Sequence, residues 1–355
     1  MIYTNDNTAN QRSEKAIREQ CNILFTCVGR RTALIRAFRE ALAELDVDGR
    51  IVGTDITDTS PAFHTLDVGE HVPAAGRREY VPSLLNIVHK HNIRLLVPLT
   101  DNDLPILSRT RDQFAALGCT VMVGSEESVA MCTNKTLTAN MIRKAGLPAV
   151  KTCMVTQFRK QPFFPCFAKP VQGSAGIGAA VIHEMAQLDG HCAKFGKDMM
   201  LQEYLSGQEF TIDVYRTREG KVVCVVPRQR LVVRSGEVEK GMTVKDQGLI
   251  DAAVQLANKM GDIWGVVACQ CRRASSEAPA KFFEINPRFG GGAPLAIAAG
   301  ANLPLYLLQE VMGRPITARI GEFTDHLLML RYDEAMFVPA DDVETLPGFR
   351  TPMFR

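Results

Sequence analysis

Residues 281–292 read Lys281-Phe-Phe-Glu-Ile-Asn-Pro-Arg-Phe-Gly-Gly-Gly292. The apolar start predicts a strand over Lys281 to Ile285, with Glu284 and Asn286 two positions apart at its end. Both oxygens then project from one face, a pair suited to the hard, oxygen-seeking Mg²⁺ that accompanies a nucleotide. Arg288 follows at once, and Gly290, Gly291 and Gly292 permit close backbone approach. A strand end with a surface carboxylate and a glycine turn is the plainer alternative. A second stretch upstream gives these residues their weight. It reads Phe167-Ala-Lys-Pro-Val-Gln-Gly-Ser-Ala-Gly-Ile-Gly178. Here a strand ends in Lys169 and leads straight into a small-residue loop, where backbone N–H groups and one ammonium can converge on phosphate oxygens. No Gly-Lys-Ser/Thr follows the glycines, which excludes a P-loop.

Outward from these two stretches, the N-terminal part alternates strand and helix. After a polar tail over 1–21, Asn22 to Val28 reads as a buried strand, followed by a helix with Leu34, Phe38, Leu42 and Leu45 at helical spacing. Strands at Ile51 to Asp55, Arg94 to Leu99 and Cys119 to Gly124 are separated by helices at Tyr80 to His91 and Asp103 to Leu117, an order that predicts a parallel sheet covered by helices. Ser125 is placed to cap the next helix, and a helix over Thr133 to Ala145 stops at Gly146 with Pro148 just beyond. From Lys151 the pattern shifts to short strands and turns, at Lys151 to Val155, Cys166 to Pro170, Met199 to Glu203, Glu209 to Tyr215, Val222 to Val226 and Leu231 to Arg234, which predicts antiparallel pairing. A helix at Leu249 to Met260, a strand at Val266 to Arg272 and an apolar helix at Leu303 to Met312 complete the reading. The expected division is a tail over 1–21, an α/β domain over 22–124, a second domain over 125–335 with a smaller subdomain at about 150–205, and a C-terminal tail over 336–355.

Composition bounds the function. The chain has 355 residues, 46% hydrophobic and 23% charged, which is the balance of a globular protein with a sizeable core. Lys and Arg number 41 against 39 Asp and Glu, so the net basic field of a nucleic-acid binder is absent, although a local basic pocket is not. No apolar run is long enough for a membrane span and residues 1–20 contain no signal-peptide core, so a cytoplasmic protein without membrane or nucleic-acid partners is expected. The 10 cysteines are scattered through apolar runs without a CxxC or zinc-like spacing and read as reduced core residues; Cys269 and Cys271 share one face of a strand.

The first strand-to-helix turn reads Val28-Gly-Arg-Arg-Thr32, with Asp55 closing the second strand. A dinucleotide site requires G-x-G-x-x-G, and two arginines stand there instead. Gly29 is read as a tight turn, with anion binding by Arg30 and Arg31 as the sharper alternative.

Taken together, Lys135 in Thr133-Asn-Lys135, Lys169 with its glycine loop, Gln202-Glu-Tyr-Leu205 followed by Glu209, and the 281–292 stretch resemble the ATP-grasp superfamily. The chain is similar to stand-alone relatives of carbamoyl-phosphate synthase large-subunit ATP-binding modules, from about Asn22 to Arg331. The resemblance implies an α/β plus α+β architecture: an N-terminal parallel pre-ATP-grasp domain, then two subdomains that clamp ATP, with the glycine loop in a mobile lid. It implies that Lys135 and Lys169 bind phosphates, that Gly173, Ser174, Ala175, Gly176 and Gly178 cover them, that Gln202, Glu203, Tyr204 and Leu205 form an adenine hinge, and that Glu209 holds ribose hydroxyls. Gln270, Glu284 and Asn286 would ligate one or two Mg²⁺ ions, with Mn²⁺ as an alternative. Gln270 stands where many relatives carry an acid, which leaves the number of ions open. Arg288 matches the arginine that contacts the transferred phosphoryl group.

The implied activity is ATP-dependent joining of a small-molecule carboxylate to an amine through an acyl phosphate, with ADP and phosphate released. Two alternatives stay open: an enzyme acting through carboxyphosphate, and a nucleotide-binding regulator without chemistry. Arg228 and Arg230 can share one strand face and suit carboxylate or phosphate recognition, a solvated charged face being the alternative. The Pro98 to Asp103 turn ends a parallel strand where ligands of open sheets bind; Thr100 and Asp101 could reach an amine, while Asp103 could simply cap the next helix. A homodimer is compatible with the resemblance.

Overall fold

Asn22–Thr26, strand β1, is buried at every position, as expected for a central parallel strand covered on both faces. Helix α1 (Thr32–Glu44) follows and packs Leu34, Ile35, Phe38 and Leu42 inward. The computed structural model describes residues 18–171, 178–234 and 236–339. The alternation continues through β2 (Ile51–Asp55), β3 (Val68–His71), α2 (Tyr80–Lys90), β4 (Ile93–Pro98), α3 (Leu104–Ala115) and β5 (Thr120–Val121). The strands form a parallel sheet in the order β3-β2-β1-β4-β5, with Leu24 opposite Val52 and Leu96. The order reverses between β1 and β4, and the crevice at their carboxyl ends is where open α/β sheets take ligands. The Gly29 to Arg31 turn and the Thr100 to Asp103 turn meet there.

Two helices lead into the rest of the chain. In α4 (Glu126–Thr133) the Ser125 hydroxyl caps the first turn through the Ser128 N–H. Asn134 caps α5 (Lys135–Lys144) by accepting from the Thr136 and Leu137 N–H groups, which puts Lys135 at the head of the helix. The second helix, expected from Thr133, starts two residues later because Asn134 caps it, and Thr133 ends α4.

A small four-stranded sheet follows in the order β6-β9-β7-β8, built from β6 (Thr152–Met154), β7 (Cys166–Pro170), β8 (Ala180–Ile182) and β9 (Met199–Glu203). Helices α6 (Val155–Phe158) and α7 (Met185–Phe195) cover it. A larger antiparallel sheet comes next: β10 (Gln208–Arg216), β11 (Val222–Arg234), β12 (Glu237–Thr243), then helix α8 (Gln247–Ala257), β13 (Gly265–Arg273) and β14 (Lys281–Asn286), helices α9 (Ala293–Ala298) and α10 (Leu303–Met312), and edge strand β15 (Leu328–Leu330). Its order is β14-β13-β10-β11-β12-β15. The two strands expected at 222–226 and 231–234 are one continuous strand, because pairing with β10 and β12 carries it through Arg228 and Arg230, with a register irregularity beyond Arg230.

The apolar packing divides unevenly. One core runs from Ile23, Phe25 and Leu96 through Phe38 to Phe289, Val267 and Leu307, joining the N-terminal sheet to the six-stranded sheet. Phe38 stacks edge-on against both Phe25 (4.9 Å) and Phe289 (5.5 Å), so the residue after Arg288 is anchored in the N-terminal core. The four-stranded sheet has its own small core around Phe158, Ala168, Leu188 and Leu201. All 10 cysteines are free, and Cys269 and Cys271 are fully buried. Among the described residues no helix is long and apolar enough to cross a membrane.

Candidate active site

The two sheets face one another across a cleft. From the small sheet, β7 presents Lys169, whose ammonium lies 5.8 Å from the centre of the Phe283 ring on β14. Burial pushes its pKa down to about 8 from the ordinary 10.5; Lys135 adds to the fall and the Glu284 carboxylate opposes it. Lys135 donates from Nζ to the Val171 carbonyl at 3.4 Å. Two ammonium groups are therefore held near one another in a site poor in water, an arrangement that an anion relieves. Gly178 has a φ of +71°, and a Cβ there would crowd Pro170 at 3.0 Å. Gly173, Ser174, Ala175 and Gly176 lie outside the described residues.

On the large sheet, β13 and β14 pair so that Gln270 stands opposite Glu284. Asn286 sits on the same face as Glu284 and donates from Nδ2 to Glu284 Oε1 at 3.1 Å. One carboxylate and two carboxamides therefore gather at the end of the pair. Such oxygen donors suit a hard divalent cation that also takes phosphate oxygens, so the residues present fit Mg²⁺. Among the described residues no group of three or more His, Cys, Asp or Glu side chains gathers to hold a metal.

Arg288 lies just beyond β14 and is gripped by a partner 187 positions away in sequence. Its Nε donates to Asp101 Oδ1 at 2.8 Å and its Nη2 to Asp101 Oδ2, a two-point fork from the turn after β4. Burial alone would lower the Arg288 pKa, but the Asp101 charge and hydrogen bonds outweigh it and hold it above the ordinary value. The guanidinium stays charged, with its direction fixed. Asp101 thus reaches Arg288, a contact that local sequence does not foreshadow. Asp103 makes no side-chain cap to α3, contrary to the capping alternative. Fully buried, it accepts instead from the Thr26 hydroxyl at 2.6 Å and the Cys27 thiol at 3.5 Å, and burial raises its pKa.

Arg228 and Arg230 do share a face of β11. Arg228 is 1% exposed and forks onto Asp213, Nε to Oδ2 at 2.6 Å and Nη2 to Oδ1 at 2.9 Å. It lies directly under the glycine turn, where a Cβ on Gly292 would come within 2.1 Å of its Nη1. Arg230 is paired with Glu209 at 3.1 Å and donates to the Gly236 carbonyl at 2.9 Å. Glu209, the expected ribose residue, is shared between Arg230 and Arg272, the latter at 2.6 Å.

The expected hinge segment joins the two sheets. Gln202 donates to the Thr152 hydroxyl at 3.0 Å, Glu203 accepts from Lys281 Nζ at 2.9 Å and from the Lys151 N–H at 3.0 Å, and the Leu205 carbonyl accepts from Arg272 at 3.2 Å. Tyr204 is exposed. In the first βα turn, Asp55 accepts from the Gly29 N–H at 2.9 Å and from the Ser60 hydroxyl at 2.8 Å, so it closes the turn. Arg31 pairs with Glu237 of β12 at 3.1 Å.

A parallel N-terminal sheet, a small and a large antiparallel sheet, and a cleft between the latter two that gathers Lys169, Glu284 and Asn286 define the ATP-grasp fold. Family comparison agrees: residues 195–333 match the family described as ATP-grasp in the biosynthetic pathway with Ter operon, and residues 23–122 match the PylC-like N-terminal domain. The chain therefore carries an ATP-grasp domain behind a PylC-like N-terminal domain. No curated protein matches it by sequence. Among solved structures it is similar to pyruvate carboxylase T882A of Rhizobium etli with acetyl coenzyme A, at a TM-score of 0.68 and 16% identity. That match covers 87% of this chain but only 30% of the carboxylase. It is also similar to the biotin carboxylase domain dimer of Hydrogenobacter thermophilus 2-oxoglutarate carboxylase with MgADP, ADP and bicarbonate (TM-score 0.68, 14% identity, 86% of this chain and 73% of that one). A third likeness is to the L-amino acid ligase of Bacillus licheniformis (TM-score 0.66, 15% identity, 87% and 78%). The chain thus shares its fold with these three structures.

Proposed function

We propose that the protein is an ATP-dependent ligase that joins a small-molecule carboxylate to an amine through an acyl phosphate. The observation that carries this reading is the placing of a desolvated lysine from one sheet against an oxygen-rich strand end and a fixed arginine from the other. Phosphoryl transfer needs positioning and positive charge more than covalent help. Lys169 and Lys135 would receive the phosphates of ATP, with the backbone of 202–205 beside the base. Glu284 and Asn286, with Gln270, would hold Mg²⁺, which when bound neutralises charge on the phosphate oxygens. A carboxylate oxygen of the substrate attacks the γ-phosphorus and ADP leaves. The amine nitrogen then attacks the acyl carbon, the bond from that carbon to the phosphate oxygen breaks, and amide and phosphate are released. Arg288, steered by Asp101, faces the developing charge of the transferred group. Arg228 acts through structure: paired with Asp213 beneath Gly292, it holds the glycine turn at its height.

The test is ADP release across a panel of carboxylate and amine pairs, with mass spectrometry of products and a bicarbonate arm. Release that requires both partners, with a condensed product, is expected. Incorporation of labelled bicarbonate would favour the carboxyphosphate route, and ATP binding without any release would favour a regulator.

A further inference from the structure

A cavity of roughly 320 Å³ lies beside the glycine turn, since Arg331 of its lining reaches the Gly291 carbonyl. Three distant pieces of chain build it: Arg30 from the first βα turn, Arg234, Glu237 and Glu239 from the β11–β12 hairpin, and Arg331 and Asp333 just after β15. It adjoins the candidate active site through Gly291, whose carbonyl accepts from Arg331 Nη2 and where an added Cβ would meet the Glu237 carboxylate and the Arg31 guanidinium.

The lining sets Arg30, Arg234 and Arg331 against Glu237, Glu239 and Asp333, and Arg31 behind it adds one guanidinium more. Glu237 is shared between Arg31 at 3.1 Å and Arg331 at 3.8 Å. Asp333 is taken by Arg234 at 2.8 Å, with Glu239 3.9 Å from the same guanidinium. Arg30 lines the cavity, and no ion pair joins it to a described residue. The guanidiniums also crowd one another: burial lowers the pKa of Arg331, with Arg31, Arg30 and Arg228 adding to the fall, and burial lowers that of Arg31, with Arg288 and Arg30 adding. An arriving anion would relieve that repulsion, and guanidinium forks match carboxylate and phosphate oxygens.

We propose that this cavity recognises a second anionic group, a carboxylate or a phosphate, on an acid whose reacting carboxylate lies at Arg288. The protein would thereby select dianionic acids over monoanionic ones. This deepens the ligase reading and rests on it for the role of the pocket, but the pocket itself can be tested without any turnover.

The experiment is calorimetric titration of the full chain at low ionic strength, without nucleotide, using glutarate, 3-phosphonopropionate and butyrate. Glutarate or 3-phosphonopropionate should bind at least about tenfold more tightly than butyrate, since only they offer a second charge to the arginines. The tighter of the two identifies the second group as carboxylate or phosphate. Arg30→Glu, at an exposed position where folding is not at stake, should weaken the favoured probe by about tenfold, and Arg30→Lys should stay within about threefold. Butyrate binding as tightly as both dianions, or an unchanged affinity in Arg30→Glu, would overturn the proposal. Selective dianion binding with no acid-driven ADP release would leave the pocket standing and overturn the ligase reading. ADP release with monoanionic acids, unaffected by Arg30→Glu, would do the reverse.

Discussion

The two walls of the cleft are held by different amounts of core. The wall that carries Gln270, Glu284, Asn286 and Arg288 shares one apolar core with the N-terminal sheet, through Phe25, Phe38 and Phe289, and Asp101 from that sheet clamps Arg288 directly. The wall that carries Lys169 rests on the small separate core around Phe158 and Leu188, and its named links to the large sheet are polar: Glu203 to Lys281, and the Leu205 carbonyl to Arg272. Well-packed cores behave as units, so the oxygen donors and Arg288 form one template with the N-terminal sheet, and a displacement of the Lys169 wall would break fewer apolar contacts. The comparison assigns the two walls different kinds of vulnerability.

On the Arg288 wall, a change in a reacting group should remove chemistry and leave the fold. Glu284→Gln is expected to abolish ADP release at an unchanged melting temperature, read by coupled assay and thermal melt. A change beneath the turn should do the opposite. Arg228→Ala leaves Asp213 charged and buried without a partner and should cost about 3–5 kcal/mol in denaturant titration, whereas the joint replacement Arg228→Met with Asp213→Leu should recover much of that loss.

On the Lys169 wall, Lys169→Ala should slow turnover by about 100-fold to 1000-fold, the usual cost of one such transition-state donor. The lysine also carries a pH signature. Its folded pKa, about 8, lies below the ordinary 10.5, so the cost of burying the ammonium is fully present below about pH 8 and is relieved as pH rises toward 10.5. Phosphates favour the charged form, so ATP affinity should fall above about pH 8 and binding at pH 9 should take up a proton. Calorimetry in buffers of different ionisation enthalpy reads that uptake, and Lys169→Ala should remove it. The smallest effect sharpens the comparison most: Leu188→Ala should cost about 2–3 kcal/mol locally, seen as faster amide exchange in β7 and β9 with protection in β1 and β10 intact. Equal loss in both sheets would show that the walls unfold as one.

Local pattern carried the parallel sheet, because β1 and β4 centre on the apolar runs Ile-Leu-Phe and Leu-Leu-Val and β2 opens on Ile-Val, as strands covered on both faces should. It missed β3, whose sequence Val-Gly-Glu-His lies half exposed at an edge, and β12, where Val238 and Met242 stand among charged and small residues. The glycine turn and the spacing of Glu284 and Asn286 were legible because both lie within one strand end. The Asp101–Arg288 and Arg31–Glu237 pairs were not, since partners 187 and 206 positions apart leave no periodic trace in a single chain. Asp103 shows a subtler limit: an Asp before a helix has the look of a cap, and only the fold reveals that Thr26 and Cys27 draw its side chain inward.

The route through an acyl phosphate has a direct signature in where one oxygen atom ends. With an acid that supports ADP release, labelled with ¹⁸O in its reacting carboxylate, the attack on ATP moves one carboxylate oxygen onto the γ-phosphorus, and the amine later expels it with the phosphate. Mass spectrometry of the released phosphate should therefore find one ¹⁸O per turnover, and none from Glu284→Gln. Unlabelled phosphate beside a labelled acid, or label arriving only from ¹⁸O-bicarbonate, would contradict the account.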